Sequence, residues 1–293
     1  MDSLIDPLRY PSNVWLVLTA FLVSLSCAIP GTYLVLRRMA LTGDAITHSV
    51  LPGIVAGFLL GGGLDSPLLL GGAALAGLAC VLSIEVIHQR LGVREDAATG
   101  IAFTTFFALG VLGLRLFASK VDLDPDCVLF GSLETAVNGH RVNLGSHEVP
   151  LAFASAGVAT VVAFLGAIAC GRAWTTGAFD SLHARCIGFR DGPARTVLLA
   201  LTAMIVTAAF QAVGAILAVA LLILPGATGV LVARRIPGVL IVATIHALLS
   251  AIGGFYFAWF AGINAAAAIV LAGFGLLCSA WAWSFTTRGA KRA

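Results

Sequence analysis

The sequence predicts an all-α, polytopic membrane protein with about nine transmembrane helices, and eight is the alternative count. Hydrophobic residues occupy 59% of its 293 positions and charged residues only 11%, whereas soluble domains carry about 25% charged residues. Several apolar runs exceed about 18 residues, the length at which a helix can cross a bilayer. No soluble domain is appended, so residues 1–293 are expected to form a single transmembrane domain.

Charge and cysteine usage exclude other classes of protein. The net charge is only +3 and is concentrated in short loops, which argues against nucleic-acid binding. The six cysteines have no CxxC spacing and lie mostly in apolar runs, which is typical of small hydrophobic side chains and not of disulfide or zinc frameworks. The N-terminus lacks a basic region before a short apolar core, so no cleavable signal peptide is expected.

The predicted spans follow the apolar runs in order. The first covers 14–36, is expected to kink at Pro30, and ends at Arg37 and Arg38. The second covers 44–60. Seven more follow, at 67–87, 97–117, 150–170, 194–210, 213–233, 238–260 and 264–285.

Two segments depart from this regular pattern. Span 213–233 is interrupted by Pro225, and the alternative is a half-helix that does not fully cross the membrane. The segment 118–149 is polar enough to leave the bilayer core, and 127–137 within it is expected to form a short interfacial helix.

The basic residues predict which side of the membrane each loop faces. In the nine-span order they fall on alternate loops, all on one side, which the positive-inside rule makes cytoplasmic. The N-terminus and the segment 118–149 then face outward, and the C-terminus is cytoplasmic. The basic positions are Arg37, Arg38, Arg90, Arg94, Arg172, Arg185, Arg190, Arg195, Arg234, Arg235, Arg288, Lys291 and Arg292.

An acid and an imidazole stand at the start of the second span. Asp44 and His48 are four residues apart, so a helix places both side chains on one stripe, roughly 6 Å apart along its axis. Pro52 has no N–H, which leaves the carbonyl of His48 without its helical partner. Such groups inside a membrane helix are candidates for a functional site, and they suit a divalent first-row cation. In the alternative, Asp44 is only a helix cap or an arginine partner, and His48 packs against a neighbouring helix.

These residues belong to a run that resembles a known family. The run RRMALTGDAITHSVLPG at 37–53 resembles the signature of the permease subunits of ABC importers for manganese, zinc and iron. The chain departs from that family at 264–271, NAAAAIVL, where the family usually has a proline and a glycine. The last helix is therefore expected to pack or line the pore differently. Further similar segments are EDAATG (95–100), ALG (108–110), VDLD (121–124), LFG (129–131), Phe179-Asp180 with Ala184 and Gly188, VG (213–214) and ALLILP (220–225).

The resemblance implies a permease similar to those of type II ABC importers, which passes a divalent metal ion inward and is not an enzyme. It implies that Asp44 and His48 contact the ion and that no cofactor is bound permanently. The implied partners are cytoplasmic ATPase subunits, an external solute-binding protein, a second permease copy, identical or not, and the lipid of the cell (inner) membrane. The chain lacks the GxxxxGK[ST] run that binds nucleotide phosphates, so the ATPase would be another polypeptide.

The resemblance also identifies residues that couple the permease to its ATPase: Phe179, Asp180, Ala184 and Gly188. A short cytoplasmic helix over 181–188, with Gly188 as its C′ residue, is expected to insert into a cleft of the ATPase. The alternative is an ordinary solvated connector.

Three outer acids, Asp122, Asp124 and Asp126, form a candidate cation funnel, because clustered negative charge raises the local concentration of cations. A solvated acidic loop is the alternative.

Other transport and enzyme classes compete with this interpretation. A permease for metal chelates, of the siderophore or cobalamin type, would favour a wider and uncharged cavity, and the Asp44/His48 pair argues against it. A secondary transporter or channel needs intramembrane carboxylates, and Asp44 is nearly alone. A membrane enzyme needs paired catalytic groups on facing helices, which the sequence does not display. The choice among manganese, zinc and iron stays open because their ligand preferences overlap.

Overall fold

A computed structural model describes residues 6–61, 67–117, 133–144 and 147–289. These residues form mostly α-helix, preceded by a short 3-10 helix at Asp6–Arg9 and interrupted by one β-hairpin. The helices are α1 (Pro11–Leu36), α2 (Ala40–Ser49), α3 (Leu51–Gly61), α4 (Pro67–Leu91), α5 (Glu95–Phe117), α6 (Leu133–Asn138), α7 (Leu151–Phe179), α8 (Ser181–Cys186), α9 (Asp191–Val213), α10 (Ala215–Val232), α11 (Ile236–Ala261) and α12 (Ala265–Gly289). The strands are β1 (Arg141–Leu144) and β2 (His147–Pro150).

Within the described residues, eight segments are long and apolar enough to cross a membrane, with α2 and α3 together making one of them. The predicted all-α membrane fold is confirmed, and the count agrees with eight and not with nine. The difference lies in α10, whose apolar part is limited to Leu217–Val232. A segment of that length is about 24 Å long, whereas the hydrocarbon core is about 30 Å thick. The apolar run at 213–233 is shortened because Gly214 separates α9 from α10 in a positive-φ conformation.

The contacts between helices define two ends of the bundle. At one end, which we call the basic end, Arg37 binds Asp191 and Arg195 binds Glu95, and the start of α11 lines one groove with Arg172. At the other end, which we call the hairpin end, α6 packs against α12, and the hairpin packs against α6 and α7. The loops 37–39, 92–94, 180–190 and 233–235 therefore lie together at the basic end.

Close helix contacts bring α10 against α1 in the core. A Cβ on Gly31 would collide with the backbone carbonyl of Leu222, and one on Gly226 would lie 2.9 Å from the Cα of Thr32. Glycines at these contacts let two backbones approach directly, which is how membrane helices maximise packing. The short helix α10 is thus held inside the bundle, against α1, α11 and α12.

The hairpin end is closed by polar contacts that the sequence did not predict. The expected interfacial helix 127–137 is represented by α6, and residues 118–132 lie outside the described residues. Glu134 of α6 accepts a hydrogen bond from the Ala265 N–H at 2.9 Å. The side chain of Asn264 accepts another from Ala266, at 2.8 Å. The atypical segment 264–271 thus supplies its own cap to α12, which satisfies N–H groups that every helix start leaves free.

Candidate metal site and coupling segment

The helix that carries Asp44 and His48 is interrupted at Val50, between α2 and α3. Pro52 lies just beyond the break, and because it lacks an N–H it cannot bond the carbonyl of His48. Helical bonding resumes at once, since the Ile54 N–H donates to the Val50 carbonyl at 3.0 Å. The predicted second span, 44–60, corresponds to the candidate span Ala40–Gly61, which begins earlier than predicted and is divided at Val50 into α2 and α3. The loss of the donor opposite the His48 carbonyl agrees with the prediction.

The structure brings Asp44 and His48 together on one helix face. Nε2 of His48 lies 3.5 Å from Oδ1 of Asp44. The side chain of Asp44 is 50% exposed and that of His48 is 28% exposed, so both keep surface that is not covered by their own chain. A carboxylate oxygen and an imidazole nitrogen at this distance are able to bind one small cation together. Neither residue has to leave its position on the helix to do so.

Two alternative roles for Asp44 do not agree with the structure. Asp44 is not a helix cap, since Met39 is the residue before the first turn of α2. It also does not pair with Arg37, whose guanidinium binds Asp191 instead. Among the described residues, the ion-pair contact of Asp44 is with His48.

An aromatic wall lines the imidazole of His48. The rings of Phe103 and Phe107 on α5 approach it edge-on, with centroid distances of 5.7 and 5.9 Å. Edge-to-face contacts of this kind fix the plane of a ring. The sequence analysis did not identify either phenylalanine, although their spacing of four on an apolar helix places them on one face.

The described residues place only two ligand-type side chains, Asp44 and His48, together at this position. The described residues contain no cluster of three or more His, Cys, Asp or Glu side chains. Zinc takes four ligands in structural sites and at least three protein ligands in catalytic ones. Further donors would therefore have to come from the backbone, from water or from another polypeptide.

The segment 175–190, which we call the coupling segment, contains the predicted short helix. Asp180 caps α8, because its Oδ1 accepts the N–H groups of Leu182 and His183, each at 2.9 Å. At the other end Phe189 N bonds Ala184 O and Gly188 N bonds Arg185 O. This is the Schellman arrangement, and Gly188 has φ +89 as its C′ residue. The predicted conformation of Gly188 is therefore correct, and the helix is slightly shorter than 181–188.

The coupling segment exposes apolar side chains at the basic end. Phe179, Leu182 and Ile187 are 73%, 71% and 52% exposed. Of these, only Phe179 was predicted from the sequence. Ala184 is fully buried, so its contribution is to seat α8 on the bundle, and it offers no surface to a partner.

Two buried polar clusters near the coupling segment were also missed. In one, Arg195 lies 3.2 Å from Glu85 and 3.3 Å from Glu95, which ties together the ends of α4, α5 and α9. In the other, Arg37 lies 2.9 Å from Asp191 and also donates to the carbonyl of Trp174. The partners in each cluster are far apart in sequence, so only the fold reveals them. The predicted outer funnel, Asp122, Asp124 and Asp126, lies outside the described residues.

The bundle defines a polytopic membrane protein, and the comparisons with known proteins identify its family. The model of the ABC 3 transport family matches residues 9–283, and the chain belongs to that family. The family membership predicted from the motifs is thereby confirmed.

Individual relatives and one solved structure agree with this assignment. The chain is 34% identical to the manganese transport system membrane protein MntD of Bacillus subtilis, over 88% of this chain and 87% of that protein. It is 34% identical to the zinc transport system membrane protein TroD of Treponema pallidum, over 71% of this chain and 57% of that protein. PsaBC from Streptococcus pneumoniae has a TM-score of 0.74 and 26% identity, covering 96% of this chain and 95% of that chain.

Proposed function

We propose that this chain is the permease through which a divalent ion of manganese, zinc or iron enters the cell, with ATP hydrolysed by separate cytoplasmic subunits. The observation that carries the proposal is the partly exposed Asp44/His48 pair on the broken helix of a membrane bundle. A charged side chain within a membrane span is costly, so a cap or packing residue would be less costly if uncharged. The names of the manganese and zinc relatives support the same cargo class.

Asp44 and His48 would bind the ion transiently during its passage. The carboxylate offsets part of the charge, and the imidazole nitrogen suits a first-row metal better than calcium or magnesium. The carbonyl of His48 is a third donor, because Pro52 cannot occupy it. A second permease copy with the same pair would double the donors, which is consistent with a two-copy assembly.

The ATPase subunits would dock on the coupling segment. Its exposed apolar residues, Phe179, Leu182 and Ile187, stand out at an end of the protein that is otherwise rich in arginine. Burying them in a cleft stabilises a complex at about 25 cal/mol per Å² of apolar surface. The caps at Asp180 and Gly188 hold the short α8 in shape without that partner.

The basic end would face the cytoplasm and the hairpin end the exterior of the cell (inner) membrane. Positive charge near membrane spans favours the cytoplasmic side, and the arginine-bearing loops gather at the basic end. The N-terminus would then be outside and the C-terminus cytoplasmic. An external solute-binding protein would deliver the ion at the hairpin end, and the whole chain would act as one permease domain.

The proposal predicts that Asp44→Asn and His48→Ala each abolish metal uptake while the permease still assembles with its ATPase. Asn keeps the size of Asp but loses the charge that offsets the ion, and Ala removes the nitrogen donor. Asp44→Asn removes a charge, and His48→Ala leaves a carboxylate whose side chain is half exposed, so both proteins are expected to assemble. Uptake of radioactive manganese and zinc into vesicles that contain the whole complex is the measurement.

Matched controls lie elsewhere in the same chain. Asp96→Asn removes a carboxylate that is 72% exposed, and His140→Ala removes an exposed imidazole, and both should transport normally. Full uptake by the Asp44→Asn/His48→Ala protein would refute the metal site. Uptake of a metal chelate but not of the free ion would favour the chelate permease instead.

A further inference from the structure

A single guanidinium joins both ends of the coupling segment. Nη2 of Arg37 lies 2.9 Å from Oδ1 of Asp191, which follows the segment. Nε and Nη2 of the same side chain donate to the carbonyl of Trp174, which precedes it, at 3.3 and 3.2 Å. The side chains of Arg37 and Asp191 are only 5% and 17% exposed, so the ion pair is shielded from water and screening.

The surroundings of Arg37 are built to hold this contact. Trp174 is fully buried, and its indole N–H donates to the Ala194 carbonyl at 2.8 Å. At Gly177 an added Cβ would collide with Asp191 Oδ1 and Arg37 Nη2, so the missing side chain leaves the space that the ion pair occupies. The residues that flank the coupling segment are thus held in place by the Arg37–Asp191 ion pair, by the hydrogen bond of the Trp174 indole and by the close approach at Gly177.

Arg37 is also the residue that begins the turn into α2. The N–H groups of Arg37, Arg38 and Met39 bond the carbonyls of Tyr33, Val35 and Leu34, which closes the end of α1. Arg38 takes a left-handed conformation with φ 63, and Met39 is buried. This short turn is locked by its own hydrogen bonds, and only one turn of helix separates it from Asp44.

We propose that Arg37 is the positioning residue that transmits movement of the coupling segment to the metal-binding helix α2. The proposal rests on the proposed function, since it assigns Asp44 and His48 to the ion and the coupling segment to the ATPase. When closure of the ATPase displaces 175–190, Trp174 and Asp191 move with the segment. Arg37 then moves too, because its guanidinium is hydrogen-bonded to both residues. The turn at 37–39 transmits this movement of Arg37 to α2. Arg37 does not itself contact the ion.

The Arg37→Gln and Asp191→Asn variants separate this role from a purely structural one. Glu85→Gln is the matched control, because it removes a charge from the other buried cluster at the same end, which does not touch the coupling segment. The measurement is the number of manganese or zinc ions transported per ATP hydrolysed, by the whole complex in vesicles. We expect this ratio to fall about tenfold in Arg37→Gln and Asp191→Asn, in line with a coupling free energy of ordinary size. In Glu85→Gln it should stay at the parent value even if less complex assembles.

A distance measurement checks the same link independently of transport. Spin labels are placed on the exposed native Cys186 of α8 and on Leu41→Cys of α2, which is 69% exposed, in a background without the other cysteines. In the parent complex the distance between the labels should be the same with and without trapped nucleotide, because α8 and α2 move together. In Arg37→Gln it should change between the two states.

The outcomes distinguish this inference from the proposed function. If the parent complex transports none of manganese, zinc and iron, the proposed function fails. If the parent transports but Arg37→Gln keeps its ion-to-ATP ratio and its fixed label distance, only the role of Arg37 is overturned. An equal loss of uptake and hydrolysis in Arg37→Gln and Glu85→Gln overturns it as well, because that pattern belongs to a merely structural ion pair.

Discussion

Gly188 illustrates how one residue shapes the coupling segment. Its φ of +89 closes the Schellman turn after α8, and an added Cβ would meet no atom within 4 Å. The cost of a substitution is therefore conformational and not steric. For a residue with a side chain, the left-handed conformation costs roughly 1–2 kcal/mol, which suffices to unfold the end of a six-residue helix.

Gly188→Val should weaken binding of the ATPase and lower metal uptake, because the turn that positions Ile187 and Phe189 is lost. Co-purification of the ATPase with the permease measures the effect. Gly92→Val is the matched control, since Gly92 has φ +67 with equally open space but lies in another loop of the basic end. Gly188→Asn should be tolerated, because Asn adopts this conformation more readily. If Gly92→Val and Gly188→Val lowered ATPase binding equally, the effect would not be specific to the coupling segment.

Element by element, the sequence predicts what is local and misses what is distant. Apolar runs and their charged borders place the long helices, since burial in lipid requires such runs. The Schellman turn at Gly188 is also local. The contacts of Arg37 with Trp174 and Asp191 join residues 137 and 154 positions apart, and no periodicity encodes them. Likewise Pro52 predicts that the carbonyl of His48 lacks its helical partner, but the start of α2 at Ala40 and its end at Ser49 were not predicted.

The pairing of α11 with α12 depends on a glycine at their closest approach. A Cβ on Gly254 would collide with the backbone of Ile269, whereas one on the adjacent Gly253 would meet nothing within 4 Å. Gly254→Ala should therefore lower the free energy of unfolding by about 1–3 kcal/mol, the usual cost of overpacking. Gly253→Ala should have no such effect. Thermal unfolding in detergent measures the midpoint temperatures of Gly254→Ala and Gly253→Ala. Similar midpoints for the two variants would contradict the prediction, because the helices would then separate easily at this contact.

For the whole molecule, the distribution of charge and the distribution of contacts agree. Two of the arginines that the positive-inside rule places on one side, Arg37 and Arg195, also form buried ion pairs at the same end, with Asp191 and with Glu85 and Glu95. The short helix α10 does not disturb this order. Its first residues follow Gly214, and α9 ends in contact with α6 at the hairpin end. Its last residues precede α11, whose Ile236 lines a groove with Arg172 at the basic end. A segment too short to be counted as a span thus still joins the two ends, which explains why counting apolar runs gave nine.

The orientation of the bundle is open to a direct test with impermeant thiol reagents. Val142→Cys introduces a thiol on the hairpin, where Val142 is 40% exposed, and native Cys186 provides an exposed thiol on α8 at the basic end. Each is studied alone, in a protein that lacks all other cysteines. In intact cells Val142→Cys should react and Cys186 should not, because the positive-inside rule predicts that the arginine-rich loops at the basic end are cytoplasmic. After permeabilisation both should react in cells that make the permease without its ATPase subunits, since a docked ATPase would cover α8, and this reaction controls for accessibility. Labelling of Cys186 but not of Val142→Cys in intact cells would reverse the orientation, and the coupling segment could then no longer meet a cytoplasmic ATPase.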